Sequence, residues 1–226
     1  MKRFFTTFIF LILTSLLLGQ VVQSVGIKSG VSIANQTWFY KSINLTLKKD
    51  KILGSYSALT VDFIKSKYFN IATDIGYCQK GCTEKIQATT VNMPEGTGVY
   101  KTYNTKFNYF SFSPLVKAKY TTTHFIPYII LGARIDYQLS YKSDLYLKQI
   151  ESNFHKTIWG LSSGAGMEFK IKNFGINTEF QYQYDITKLV DTPPSAINTG
   201  LRINNKAFVI SIGLKYHLNK KAEANK

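Results

Sequence analysis

The sequence predicts an all-β chain: an eight-stranded antiparallel up-and-down transmembrane β-barrel with short periplasmic turns and long extracellular loops. Three observations predict it. Eight segments alternate large apolar residues with small or polar ones at a period of two. The connections between those segments are alternately long and short. The N-terminus has the layout of an export signal, and nothing after it approaches the roughly 18 consecutive apolar residues of a spanning helix.

The leader comes first. Lys2 and Arg3 precede an uncharged, mostly apolar run from Phe4 to Gly19, and Val22 and Ser24 supply the small residues a signal peptidase reads. The expected cut follows Ser24, with a cut after Gly19 as the competitor and an uncleaved anchor helix as the alternative. The division is therefore a signal peptide over 1–24, a barrel over 25–218 and a short polar periplasmic tail over 219–226.

Each strand is read from its two faces. In the first, Ile27, Val31 and Ile33 oppose Lys28, Gly30, Ser32 and Ala34. In the second, Leu59, Val61 and Phe63 oppose Ala58, Thr60 and Asp62. In the third, Ile71, Ile75 and Tyr77 oppose Ala72, Asp74 and Gly76. Phe110, Phe112 and Val116 oppose Ser111, Ser113 and Lys117 in the fourth. In the fifth, Ile129, Leu131, Ile135 and Tyr137 oppose Gly132, Arg134 and Asp136. In the sixth, Trp159, Leu161 and Phe169 oppose Gly160, Ser162 and Glu168. In the seventh, Ile176, Phe180, Tyr182 and Tyr184 oppose Asn177, Glu179, Gln181, Gln183 and Asp185. The eighth sets Ile210, Ile212 and Leu214 against Ser211, Gly213 and Lys215. Short connections stand at 65–69, 121–124 and 172–173; long ones span 36–54, 79–104, 140–155 and 186–205. With a periplasmic N-terminus, all four long loops face outward from the cell.

Composition narrows the classes. The 226 residues are 18% charged and 15% aromatic, which excludes a disordered chain. A mean hydropathy of −0.08 is too polar for a bundle of spanning helices and fits a barrel whose inner half is polar. A soluble lipocalin-like barrel shares the alternation but turns its apolar face inward. Three His and two Cys leave little for a metal site or thiol chemistry, so no cofactor, no metal and no catalytic residue is expected, and the chain is read as no enzyme. Lys and Arg number 28 against 13 acids, a formal +15. The basic residues are spread over turns, loops and tail rather than along one element, so no nucleic-acid partner is expected.

The segments resemble the PorT-like outer-membrane β-barrel family (porin-family proteins of Bacteroidota). The similar stretches are the opening Gly26-Ile-Lys-Ser-Gly-Val-Ser-Ile-Ala-Asn35, the acid of Asp74 followed by Tyr77-Cys-Gln-Lys-Gly81, and Tyr109 followed by Pro114-Leu115 and Lys117. Phe125–Gly132, Gly160–Glu168 and Asn205–Tyr216 are similar to later strands of that family. Ser111 stands where the family has an acid, and the tail after Leu218 runs past the last aromatic strand. The resemblance implies a barrel in the cell outer membrane, a barrel-insertion machinery as assembly partner, and for some members a part in protein secretion or envelope assembly; the family is functionally mixed.

Candidate sites follow from the polar face. Lys28, Asp62, Asp74, Arg134, Glu168, Glu179 and Lys215 are expected to point into the lumen as a paired charge network. Cys78 and Cys82, expected where the third strand enters a long loop, are the candidate disulfide. Lys41, Lys48, Lys49 and Lys51, with Lys101 and Lys106, stand ready for an anionic partner such as lipopolysaccharide or a surface ligand. Three roles remain: a structural or loop-binding barrel with a filled lumen, a component of a secretion or envelope-assembly machine, and a small porin-like channel.

Overall fold

The computed structural model describes residues 22–64, 66–89, 96–122, 125–144, 147–195 and 199–218. The expected tail over 219–226 and residues 1–21 of the expected leader lie outside the described residues.

The elements run β1 (Val22–Tyr40), β2 (Leu45–Lys48), β3 (Ile52–Phe63), β4 (Phe69–Gln87), β5 (Tyr100–Lys119), β6 (Phe125–Ser143), α1 (Lys148–Glu151), β7 (Thr157–Ile171), β8 (Phe174–Asp185), β9 (Val190–Asp191) and β10 (Leu201–His217). Eight of these strands form the wall in sequence order, each antiparallel to the next. The ring closes where β1 pairs with β10, from Ser24 opposite His217 to Tyr40 opposite Leu201. Closure satisfies the backbone of both end strands, the condition for crossing a bilayer with strands. The short strands β2 and β9 lie outside the ring of eight, as extensions of β1 and β10 at the loop end.

The fold is inside out relative to a soluble barrel. Along β10 the residues Phe208, Ile210, Ile212, Leu214 and Tyr216 are exposed, while Val209, Ser211 and Lys215 between them are buried. Ile212 is 60% exposed and Ile129 63%, whereas Arg134 and Glu179 are fully buried. An apolar wall around a charged interior requires hydrocarbon outside, which rules out the lipocalin-like arrangement. Among the described residues no helix is long and apolar enough to cross a membrane.

The strands are longer than the alternation suggests. A bilayer needs about 9–11 tilted residues per strand, yet β4, β5 and β6 have 19, 20 and 19. Their ladders continue past the lipid, to Gln87 opposite Tyr100 and Thr105 opposite Ser143. Lipid no longer demands an apolar outer face there, so the period-two signal fades while the backbone pairing persists. The expected loops over 79–104, 140–155 and 186–205 are correspondingly shorter. At the other end β1 begins at Val22, and Ser24 Oγ donates a 2.8 Å hydrogen bond to Asp62 Oδ2. A cut after Ser24 would remove that donor; a cut after Gly19 would leave it.

Candidate functional site: a charged lumen under an apolar cap

The polar faces of eight strands converge on a narrow interior, of a width that side chains ordinarily fill in eight-stranded barrels, and a charge buried there needs a partner. Three tiers of ion pairs result. At the periplasmic end, Lys215 Nζ lies 2.7 Å from Asp62 Oδ2 and 3.4 Å from Glu168 Oε2. Lys117 Nζ is 3.0 Å from the other Asp62 oxygen, and His217 Nε2 is 2.9 Å from Glu168 Oε1. In the middle tier, Lys28 Nζ bridges Asp74 Oδ2 at 2.7 Å and Glu179 Oε1 at 2.9 Å, and the Tyr128 hydroxyl donates to the second Glu179 oxygen at 2.9 Å. Above it, Lys80 Nζ holds Asp136 at 2.5 Å and Asp185 at 3.0 Å, while the Arg134 guanidinium donates to both, its Nε lying 2.8 Å from Asp136.

Glycines on β7 make this packing possible. A Cβ at Gly160 would lie 2.6 Å from Arg134 Nη2, and one at Gly166 would lie 2.5 Å from the Tyr128 ring. Small residues on β7 therefore leave the lumen to the long side chains of β6 opposite.

All seven residues of the expected lumen network are buried inside the barrel. The structure brings Lys28 to Asp74 and Glu179, and Lys215 to Asp62 and Glu168, but gives Arg134 other partners, Asp136 and Asp185. Lys80, Lys117, Asp136 and Asp185 complete the network. Three of these four stood on the polar face of an alternating segment; Lys80 fell in a stretch read as loop. Among the described residues, five Lys and Arg side chains thus meet six carboxylates in the lumen, and the excess positive charge of the chain lies elsewhere.

The cysteine pair is corrected by the structure. Cys78 and Cys82 are both free, both buried, and both on the lumen face of β4. Four residues along a strand separate Cα atoms by about 13 Å, beyond the roughly 7 Å limit for a disulfide. Their neighbours are glutamines: Gln183 Oε1 lies 3.8 Å from the Cys78 sulfur and Gln36 Oε1 lies 3.2 Å from that of Cys82.

Above the charges sits an apolar cap that the sequence reading missed. Trp38, Phe107, Tyr109, Ile158, Leu201 and Ile203 from the strand ends pack with Leu147, Leu189 and Val190 from the extracellular connections. Phe154, just after α1, sets its ring edge-on to Phe107 with centroids 5.4 Å apart. The signal was present: Phe107, Ile158, Leu201 and Ile203 keep the inward parity of strands that extend further than the alternation showed.

At the rim, Lys41 pairs with Asp191, and Lys49 pairs with Glu84 while its ammonium lies 4.6 Å from the centre of the Trp38 ring. Asp191 is outside the bilayer, and its carboxyl is held below the usual carboxylate range by the hydrogen bond from Lys41, with the Arg202 charge adding to it. His155, the histidine nearest the mouth, has Nδ1 2.9 Å from the backbone carbonyl of Lys188.

No protein family and no curated relative matches the sequence. Among solved structures, the N-terminal β-barrel domain of Pseudomonas aeruginosa OprF is 11% identical with a TM-score of 0.42, covering 88% of this chain and 99% of that one. Outer membrane protein OprG from Pseudomonas aeruginosa is 13% identical with a TM-score of 0.46, covering 88% and 98%. Outer membrane protease OmpT from Escherichia coli is 9% identical with a TM-score of 0.48, covering 88% and 97%. At these values nothing about ligand or activity passes from them to this chain. The closed ring of eight strands, its apolar wall and its charged interior make the chain an integral outer-membrane β-barrel protein.

Proposed function

We propose that this barrel is a non-enzymatic anchor with a filled lumen, working through its extracellular rim and loops in binding or adhesion. The observation that carries the reading is the cap: Leu147, Leu189 and Val190 close over three tiers of paired charge, so the loop end is a built surface over a plugged interior. The leader delivers the chain to the periplasm, from which the barrel-insertion machinery assembles it.

The test is swelling of proteoliposomes in small sugars. Vesicles holding the barrel should swell no faster than protein-free ones. Swelling above that level would overturn the filled lumen and favour a small porin-like channel. The part in a PorT-like secretion or envelope-assembly machine rests on the sequence resemblance; co-purification of stoichiometric partners from native membranes would favour it over a lone barrel.

A further inference from the structure

The outward face of β4, β5 and β6 changes character row by row towards the loop end. Tyr77, Phe110 and Tyr137 form one aromatic row, opposite one another in the ladder. The next row is polar: Tyr77 Oη donates to Asn108 Oδ1 at 2.7 Å, Gln79 Nε2 to the same oxygen at 2.8 Å, and Asn108 Nδ2 to Ser140 Oγ at 2.8 Å. Ser140 accepts there and keeps its own O–H to donate outward. In the row above, Lys106 and Lys142 stand directly opposite each other.

Directly opposed residues have Cβ atoms about 4.5–5.5 Å apart, and like charges in that position destabilise a sheet. Among the described residues neither lysine has a carboxylate partner, unlike Lys41 and Lys49 at the same rim. Asp144, just past the end of β6 and two residues from Lys142, receives the backbone N–H of Asn104 on its Oδ2 at 2.9 Å. On the other flank of Lys106 the row holds Gly81, which has no side chain to fill the space.

Depth identifies what the pair faces. Phe110 to Lys106 is four residues, about 13 Å along the strand and roughly 10 Å along the barrel axis at the usual tilt. Aromatic girdles mark the edge of the hydrocarbon, and lysine stems reach back towards it. The ammonium groups therefore sit at the level of the outer-leaflet headgroups. We propose that Lys106 and Lys142, with Ser140 beneath them, form a site on the outer wall for the phosphate of an anionic glycolipid of the outer leaflet. The inference rests on the outer-membrane placement of the barrel and is independent of the loop-binding role.

The experiment uses the refolded full barrel in detergent, native mass spectrometry as readout, and bisphosphorylated lipid A as probe, beside the same lipid A stripped of phosphate. Wild type should retain the phosphorylated form, and the double variant Lys106→Ser, Lys142→Ser should retain it about tenfold less, as expected for losing charge-assisted contacts. Lys106→Arg with Lys142→Arg should keep retention, and so should the control Lys170→Ser with Lys172→Ser, two exposed lysines at the periplasmic end of β7 and in the turn after it. Inorganic phosphate at the same concentration should not displace the lipid. Equal retention by wild type and the serine variant, or indifference of wild type to the phosphate, would overturn the site. Heat-modified mobility on gels checks that each variant is folded.

Discussion

Lys28 and Glu179 are 151 positions apart in the chain and 2.9 Å apart in the lumen. The contact reaches from β1 past β10 to β8, and the same ammonium turns the other way to Asp74 on β4. One lysine thus ties together strands that share no backbone ladder. Its worth lies in what its removal leaves behind, because two carboxylates then remain buried without a cation.

Lys28→Met is therefore expected to destabilise the barrel by about 3–5 kcal/mol, the usual cost of orphaning a buried charge. Urea unfolding in micelles, followed by heat-modified gel mobility, measures it. Adding Asp74→Asn and Glu179→Gln should recover most of the loss, since neutral amides need no counter-ion. A Lys28→Met barrel as stable as wild type would mean the middle tier is hydrated rather than dry.

Strand β10 tests which side faces lipid. Ile212 is 60% exposed on the wall and Ser211 is 4% exposed in the lumen. Ile212→Arg places a cation near the bilayer midplane and should cost roughly 2–4 kcal/mol. The smaller inward change Ser211→Asn should refold into lipid vesicles with near wild-type yield. Robust refolding of Ile212→Arg, with wild type soluble in the absence of detergent, would reverse the assignment of faces.

The ring itself was legible because lipid and lumen impose opposite demands on alternate residues, so Ile212 and Ser211 declare their faces in sequence. Lys28, Asp62, Asp74, Glu168, Glu179 and Lys215 were legible as inward charges for the same reason. Partner choice was not. Arg134 finds Asp136 on its own strand and Asp185 on β8, which depends on side-chain reach across the ring and leaves no periodic trace. Lys80 and the apolar cap were missed because the strands rise beyond the bilayer, where no lipid enforces the alternation.

The Lys41–Asp191 contact predicts a pH response at the rim. A depressed Asp191 pKa means the contact stabilises the loops fully above the ordinary carboxyl value, about pH 4, and is lost as the pH falls through the lower folded value. The amides of Lys41 and Ser42, which donate to Gly200 and Thr199 carbonyls at 3.0 and 2.9 Å, report it. After correction for intrinsic exchange, their hydrogen-exchange protection should be lower at pH 3 than at pH 6. Asp191→Asn should show the lower value at both. Unchanged protection in Asp191→Asn at pH 6 would remove the contact from any role in fixing the loop.

The two cysteines make the last prediction, and it turns on strand geometry. Residues four apart on an extended strand share a face but cannot approach, so Cys78 and Cys82 project into the same lumen about 13 Å apart. Burial shields them both: Cys78 is 0% and Cys82 1% exposed. In the folded barrel a charged maleimide should label neither thiol, and after unfolding it should label both without prior reduction. The intact mass should carry both thiol hydrogens, and reductant should leave the unfolding midpoint where it was. Cys82→Ser keeps a donor for Gln36 and should shift stability by no more than about 1 kcal/mol. A mass short of two hydrogens, together with a midpoint that falls on reduction, would require β4 to bend at Gly81 far enough to bring the sulfurs together, against a ladder to β5 that runs unbroken from Phe69 to Gln87.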